Sequence, residues 1–207
     1  MSSELRIDTP VGPAGVTVVG AGERGTLVLG HGAGGLRWTA DVTAAAAAAV
    51  TAGWTAVLLD QPWRLAGRSV ASPPKTLDVA WCAALADAVL AELPRPLVVG
   101  GRSAGARVAC RTAQHTGAAA VIAVSFPLHP PGEPGNSRAA ELAEPLAHGI
   151  PVAVIQGDKD PFGTPPEVAA EVPGLRRLVT VRGAHPLERE AAAVASATVA
   201  ALKALLG

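Results

Sequence analysis

A serine lies between two glycines at the point where an apolar run gives way to a helix-forming segment. The residues Gly101-Arg102-Ser103-Ala104-Gly105 form a G-x-S-x-G pentapeptide, directly after Leu97-Val98-Val99-Gly100 and at the start of the stretch 104–112. Five such residues match by chance often, but the strand before and the helix after make the motif meaningful. The turn strains the serine backbone and leaves no room for side chains two residues either side, a need that glycine meets. The sequence therefore predicts a strand–turn–helix with the Ser103 hydroxyl held at the top of the strand.

Short apolar runs alternate with helical patterns along the chain, which predicts βαβ units with right-handed crossovers. The predicted strands are residues 16–19, 26–29, 55–59, 97–99, 120–124, 152–155 and 178–181, with an edge strand at 5–7. The predicted helices lie near 39–52, 77–92, 104–116, 137–148, 165–172 and 187–206. Pro145 is expected to kink the fourth helix or to end it early. The pattern favours a single α/β domain over residues 1–207, with a mostly parallel, doubly wound sheet of about seven or eight strands and helices on both faces.

Composition excludes several classes of partner. Lys plus Arg and Asp plus Glu both number 17, so no charge imbalance points to nucleic acid or to an acidic membrane surface. The longest apolar runs fall short of a membrane span, and residues 1–20 lack the pattern of a secretory signal. Cys82 and Cys110 are expected to be buried free thiols, which together with the missing signal predicts a cytoplasmic protein.

The residues that would activate a serine follow Ser103 in the chain. A serine hydroxyl needs a base to take its proton, and the base needs an orienting anion. Carboxylates occur in Gly157-Asp158-Lys159-Asp160, just past one predicted strand, and His185 follows the next strand. All of these loops leave the same end of the sheet as Ser103. The sequence therefore predicts Ser103 as nucleophile and His185 as base.

The residues alone offer three candidates for the acid. A G-x-x-D loop after a strand favours Asp160, with Asp158 as a solvated turn residue or helix cap. Asp60, at the end of an earlier strand, is a weaker third candidate that we expect to make loop hydrogen bonds.

A glycine-rich turn follows the strand at 26–30. In His31-Gly32-Ala33-Gly34-Gly35, backbone amides lie open without side chains in the way. Acyl transfer needs such amides where the carbonyl oxygen becomes negative. We expect the amides of Ala33 and Ala104 to form the oxyanion hole, with Gly34 as the fallback donor. His31 is expected to hydrogen-bond within the structure, and the alternative for the whole segment is a mere tight turn.

Two proline-rich loops, 61–75 and 127–136, leave carboxyl ends of strands, where ligands bind in open parallel sheets. The candidate substrate-binding residues in and around these loops are Gly32, Gly34, Trp63, Arg64, Arg102 and His129. Each of these side chains also has a structural alternative to substrate binding. The arginines could form ion pairs that fix a loop. His129 could pack within its own loop, and Trp63 could belong to the core. No Cys/His cluster has metal-ligand spacing, and residues 32–35 lack the form of a phosphate-binding loop, so no metal or cofactor is predicted.

These motifs together resemble a known family. The segments His31–Gly35, Gln61–Arg64, Gly100–Gly105, Phe126–Gly132, Gln156–Gly163 and Gly183–His185 are similar to those of the small α/β-hydrolases that include the testis-expressed and NSL-complex hydrolase-like proteins, and broadly to dienelactone hydrolases. The resemblance covers residues 25–205 and implies an α/β-hydrolase fold with Ser103, Asp160 and His185 as catalytic residues. This chain departs from the pattern at Pro186, which follows the histidine, and no acidic residue precedes it.

The sequence thus predicts a serine hydrolase that cleaves a small carboxylic ester or thioester. A non-catalytic binding protein of the same fold, or an acyltransferase or peptidase, are the alternatives. The segment 127–150, where larger hydrolases insert a cap domain, holds at most one helix, so no cap is expected and the site should be open.

Overall fold

Eight strands form one sheet in the computed structural model, which describes residues 2–35 and 37–207. The strands are β1 (Ser2–Ile7), β2 (Ala14–Val19), β3 (Thr26–Gly30), β4 (Thr55–Asp60), β5 (Leu97–Arg102), β6 (Ala120–Val124), β7 (Val152–Gly157) and β8 (Arg177–Val181). Their order across the sheet is β1-β2-β4-β3-β5-β6-β7-β8. Strand β2 is antiparallel to both of its neighbours, and all pairings from β4 to β8 are parallel.

Helices cover both faces of this sheet. They are α1 (Ala40–Thr51), α2 (Pro62–Leu65), α3 (Pro74–Leu85), α4 (Ala88–Ala91), α5 (Ala104–Thr112), α6 (Ala139–Ala147), α7 (Pro165–Glu171) and α8 (Ala191–Leu206). Helices α1 and α8 close one apolar core, and α3, α5, α6 and α7 close the other. Because every residue of β3, β6 and β7 is buried, these strands read as continuous apolar runs rather than alternating ones.

The fold predicted from the sequence, a mostly parallel α/β-hydrolase sheet with helices on both faces, is confirmed. The helix predicted at 77–92 is wrong in its bounds, because it begins at Pro74 and breaks after Leu85. Asp87 causes the break: its Oδ1 accepts a hydrogen bond from the amide of Val89 at 3.0 Å and starts the separate helix α4. The predicted loop 61–75 contains the short helix α2, which begins with proline at its first position.

The cysteines differ from expectation in one respect. Cys110 is buried, whereas Cys82 is only partly buried, and both are free thiols. Burial raises the pKa of both thiol groups. Neither thiol therefore has the lowered pKa of a reactive cysteine.

The strand order creates a crevice above the centre of the sheet. Strand β3 pairs with β4 on one side and β5 on the other, so the connections after β3 and β5 turn in opposite directions. Ligands bind at such a switch point, outside the carboxyl ends of the strands. The loops that follow β3, β5, β7 and β8 all lie at this edge.

The segment between β6 and β7 contains one helix, α6, and no further domain within the residues described. Helix α6 ends at Ala147, two residues after Pro145. Among the described residues, no separate folding unit therefore covers the crevice. None of the described helices has both the length and the apolar character that crossing a membrane requires.

Candidate active site

Ser103 lies at a strained turn between β5 and α5. Its backbone has φ 53° and ψ −111°, a conformation that a residue with a side chain rarely adopts. A Cβ on Gly101 would lie 2.5 Å from the carbonyl oxygen of Gly30, and one on Gly105 would lie 2.4 Å from that same oxygen. The two glycines therefore let β3 approach the turn closely, as the pentapeptide predicts.

The turn brings Ser103, His185 and Asp160 together. His185 Nε2 lies 2.9 Å from Ser103 Oγ, and His185 Nδ1 lies 2.9 Å from Asp160 Oδ2 and 3.1 Å from Asp160 Oδ1. Since a carboxylate only accepts hydrogen bonds, Nδ1 carries the ring proton and Nε2 is free to accept from the serine hydroxyl. The three side chains thus form one continuous hydrogen-bonded line.

Asp160 is fully enclosed, and donors surround its carboxylate. The side chain is 0% exposed. Besides the imidazole, Oδ1 accepts from the amide of Phe162 at 2.9 Å and Oδ2 accepts from Gln156 Nε2 at 3.0 Å. These donors fix the direction in which the carboxylate faces the imidazole.

Gln156 is a site residue that the motif analysis missed. It is the residue before the last one of β7, and it is buried. Both polar groups of its side chain make hydrogen bonds. Oε1 accepts from the amide of Phe126 at 2.9 Å, and Nε2 donates to the carbonyls of Phe126 and Gly163 as well as to Asp160. A lone glutamine at the end of an apolar strand, four residues before the acid, was the available signal.

The loop that carries His185 is held from two sides. Asp158 Oδ1 accepts from the amide of Gly183 at 2.7 Å, and the Phe162 ring packs on the imidazole with the ring centres 4.3 Å apart. Asp158 is therefore more than the solvated turn residue or helix cap expected from the sequence, since it ties the acid loop to the histidine loop.

The predicted oxyanion residues surround one small cavity. Ala33 and Ala104 line it together with Gly32, Trp63 and Trp81, and its volume is about 10 Å³, roughly the room that one water needs. Ala104 is the first residue of α5, where amides have no acceptor within the helix. Gly34 lies outside the cavity lining, in an exposed part of the loop.

His31 supports the loop from below, as expected for a structural residue. Its Nδ1 donates to the carbonyl of Gly32 at 2.8 Å, and its Nε2 accepts from the amide of Gln61 at 3.0 Å. The ring contacts Trp38 and Trp63 edge-on. Burial lowers the pKa of His31 to about 4, so the ring is neutral at pH 7.

Two predicted substrate contacts are enclosed elsewhere. Trp63 is 1% exposed, so it meets the crevice only through the small cavity. Arg64 is buried, with Nε 3.1 Å from Asp60 Oδ1 and its guanidinium 4.8 Å from the Trp38 ring centre. This is the ion pair that fixes a loop, the alternative to a substrate contact.

His129 packs within its own loop, which was also the alternative given above. Its Nδ1 donates to the carbonyl of Pro130 at 2.8 Å, and its amide donates to the carbonyl of Phe162 at 3.0 Å. It therefore braces the residue that covers His185. Arg102, by contrast, lies near Gly32 beside Ser103, and its Nε is 3.5 Å from Asp41 Oδ2 on α1.

Within residues 2–35 and 37–207, no group of three or more His, Cys, Asp or Glu side chains is placed to hold a metal ion.

Known proteins share this architecture. The chain matches the α/β-hydrolase domain family over residues 23–198. A serine hydrolase homologue from Coxiella burnetii is 19% identical with a TM-score of 0.78, and covers 97% of each chain. A serine hydrolase without a lid from Xanthomonas campestris is 21% identical, with a TM-score of 0.72 over 98% of this chain and 94% of that one. A dienelactone hydrolase from Anabaena variabilis is 18% identical, with a TM-score of 0.71 over 98% and 95%.

A comparison with curated protein sequences found no match. The narrower kinship with the testis-expressed and NSL-complex proteins stays a prediction. Because the family match spans most of the sequence and includes Ser103, Asp160 and His185, the chain belongs to the α/β-hydrolase domain family.

Proposed function

We propose that this protein is a serine hydrolase that cleaves a carboxylic ester or thioester of a small acyl group. The observation that carries the proposal is the line of hydrogen bonds from Ser103 Oγ through His185 to Asp160, with heavy-atom distances of 2.9 Å at both links. A binding protein has no need of a serine, an imidazole and a carboxylate in this order and geometry.

The chemistry follows from the proton positions. Ser103 Oγ attacks the carbonyl carbon while His185 Nε2 takes the hydroxyl proton, and Asp160 stabilises the imidazolium that forms. The imidazolium then gives the proton to the leaving alcohol or thiol, which departs and leaves an acyl-serine. A water attacks this ester with His185 as base again, and the acid and free Ser103 are released.

The negative oxygen of the tetrahedral intermediate is stabilised by the amides of Ala33 and Ala104. The placement of both residues around one cavity, with Ala104 directly after Ser103 in the chain, supports this role. The N-terminus of α5 adds a favourable partial positive charge at the same point. Ala104 begins α5, and Ala33 lies in the loop after β3 that His31 ties to the amide of Gln61, so both donors need little reorganisation during the reaction.

The names of similar proteins support ester chemistry. A dienelactone hydrolase and a thioesterase domain from the curacin biosynthetic pathway share the fold. Their names refer to a thioester and to a lactone, both of which are acyl compounds. The acyl acceptor here is proposed to be water, because the described residues form no cap over the crevice.

The test is labelling by a fluorophosphonate probe together with turnover of 4-nitrophenyl acetate. The wild-type protein should be labelled at Ser103 alone, and Ser103→Ala should lose both labelling and at least about 10³-fold in kcat. Circular dichroism should show that the variant stays folded. Wild-type turnover in the folded alanine variant would show that Ser103 is not the nucleophile, and a wild-type protein that neither reacts nor turns over would favour the binding protein.

A further inference from the structure

Arg102 projects its guanidinium toward the reaction centre. Its Nη1 lies 3.0 Å from the position that a Cβ on Gly32 would take, and Ser103 Cβ lies 3.7 Å from the same position. The guanidinium, the proposed oxyanion loop and the nucleophile therefore flank a single glycine. No other arginine considered as a substrate contact has this position, since Arg64 is enclosed with Asp60.

A buried carboxylate orients this guanidinium without using its donors. Asp41 is 0% exposed, and its Oδ1 accepts from the amide of Val42. The 3.5 Å separation of Asp41 Oδ2 from Arg102 Nε is longer than a charge-assisted hydrogen bond, and both atoms lack a hydrogen-bond partner in the described chain. Within residues 2–35 and 37–207, no acceptor binds the terminal nitrogens of Arg102 either.

Space for a ligand lies above the adjacent loop. Among the described residues, no atom lies within 4 Å of a Cβ added to Gly34 or to Gly35, and Ala33 is exposed. The Arg102 side chain itself is 12% exposed, so it is anchored but not sealed off. A group bound to Ser103 can therefore extend over this loop and meet the guanidinium.

We propose that Arg102 binds a carboxylate on the acyl part of the substrate, so that the preferred substrate is a half-ester or half-thioester of a short dicarboxylic acid. This inference rests on the proposed hydrolase function. The planar fork of a guanidinium matches a carboxylate with two parallel hydrogen bonds. Because Arg102 Nη1 and Ser103 Cβ both lie within 4 Å of one point beside Gly32, only a short dicarboxylic acid spans the distance between them.

The test compares two substrates of equal chain length, mono(4-nitrophenyl) glutarate and 4-nitrophenyl valerate. The measured quantity is the ratio of their kcat/KM values, after subtraction of the self-hydrolysis seen with Ser103→Ala. The wild-type ratio should exceed about 10, as expected for a charge-assisted hydrogen bond. Arg102→Gln should lower the ratio on the order of 10-fold or more, and Arg102→Lys should lower it less, because lysine keeps the charge but not the fork.

Arg189→Gln is the matched control. Arg189 is exposed and lies four residues after His185 in the chain, so Arg189→Gln removes one positive charge and keeps Arg102. The ratio should stay at the wild-type value in this variant. Because a general defect in the turn lowers both kcat/KM values together, the ratio separates carboxylate binding from damage to the site.

A second readout does not depend on turnover. Free glutarate should slow the labelling of Ser103 by a neutral fluorophosphonate in the wild-type protein, and much less in Arg102→Gln. If Arg102→Gln fails to fold, the kcat/KM ratio and the effect of glutarate on labelling are both measured with Arg102→Lys instead. A Ser103-dependent esterase with a ratio near 1, or with the same ratio in the folded Arg102→Gln variant, would overturn this inference and leave the hydrolase standing. Turnover of neither ester and no labelling would overturn both proposals.

Discussion

Among the side chains of this site, Asp160 is the one that we expect to tolerate substitution least. It accepts from three donors: His185 Nδ1, the Phe162 amide and Gln156 Nε2. An asparagine has only one accepting oxygen, and its other terminal atom is an NH₂ group that donates. In Asp160→Asn this NH₂ group would face an N–H donor that the carboxylate now accepts from. An asparagine also cannot stabilise an imidazolium. We expect kcat for 4-nitrophenyl acetate to fall by about 10⁴-fold, measured at saturating substrate.

Asp158→Asn is the matched control for that change. Asp158 is exposed and makes one hydrogen bond to the Gly183 amide, which an asparagine oxygen can still accept. Its kcat should stay within about 10-fold of wild type. If the two effects come out reversed, Asp158 is the acid.

His31 makes a pH-dependent contribution to stability. Its pKa is about 4 in the folded protein because burial disfavours the charged ring, against 6.5 for an unperturbed histidine. The unfolded chain therefore binds the extra proton first, and the free energy of unfolding falls as the pH drops from about 6.5 to about 4. Protonation of Nε2 would also set two donors, the ring and the Gln61 amide, against each other.

His31→Gln isolates this effect, because the glutamine oxygen can accept from Gln61 but does not titrate. The free energy of unfolding of wild type minus that of the variant should shrink by about 2–3 kcal/mol between pH 7 and pH 4, measured in urea. A difference that stays constant over this range would show that His31 does not titrate on unfolding.

At the scale of elements, the close approach of α5 to β3 positions Ser103. Helix α5 and strand β3 meet at Gly105, where an added Cβ would lie 2.4 Å from the carbonyl oxygen of Gly30 and 2.8 Å from that of His31. Backbone atoms cannot move aside cheaply, so Gly105→Ala should shift α5 and with it Ser103 and the Ala104 amide. We expect a loss of about 2 kcal/mol or more in the free energy of unfolding and at least about 10²-fold in kcat.

Gly135→Ala serves as the comparison, because a Cβ there would have no atom within 4 Å. Its free energy of unfolding should lie within about 0.5 kcal/mol of wild type. Both values come from urea unfolding followed by circular dichroism. Equal stability and activity in the two variants would contradict the close packing of β3 on the turn.

At the end of β7, the Gln156 side chain connects Phe126 and Gly163, which lie in two different loops, to Asp160. Gln156→Leu keeps the volume but leaves the amide of Phe126 and the carbonyl of Gly163 without their partners. We expect a cost of about 1–3 kcal/mol in stability and a larger fall in kcat than change in KM, since Asp160 loses an orienting donor. The exposed change Gln114→Leu should alter neither quantity. A rise in KM with kcat unchanged would assign Gln156 to substrate binding instead.

At the scale of the whole molecule, the missing cap domain governs which substrates fit. The segment 125–151 contributes only α6 above the sheet among the described residues, and the cavity beside Ala33 and Ala104 measures about 10 Å³. A crevice of this kind should favour short acyl groups. In a series of 4-nitrophenyl esters, kcat/KM should be highest at about two to five carbons, with no jump above the micellar threshold. Activity that rises steeply to about twelve carbons would contradict this picture.

Local patterns in the sequence were sufficient to predict the buried strands, the turn at Ser103 and the loops that meet there. Continuous apolar runs predicted the buried parallel strands, because a strand covered on both faces has no polar side. The pentapeptide around Ser103 predicted the strained turn, because only glycine tolerates the approach of Gly30. The order of Ser103, Asp160 and His185 predicted which groups would meet, because parallel strands deliver their carboxyl ends to one edge.

The partners of individual polar side chains were decided only by the tertiary structure. Gln156, Asp158 and His129 each bond to a loop from a different strand, and no spacing along the chain encodes such a contact. The same holds for the arginines. Arg64 and Arg102 both follow strands near the crevice, yet Arg64 is enclosed with Asp60 while Arg102 lies beside Ser103. Which of two similar side chains lies beside Ser103 depends on how the helices pack, because burial and pairing are properties of the assembled layers rather than of the local sequence.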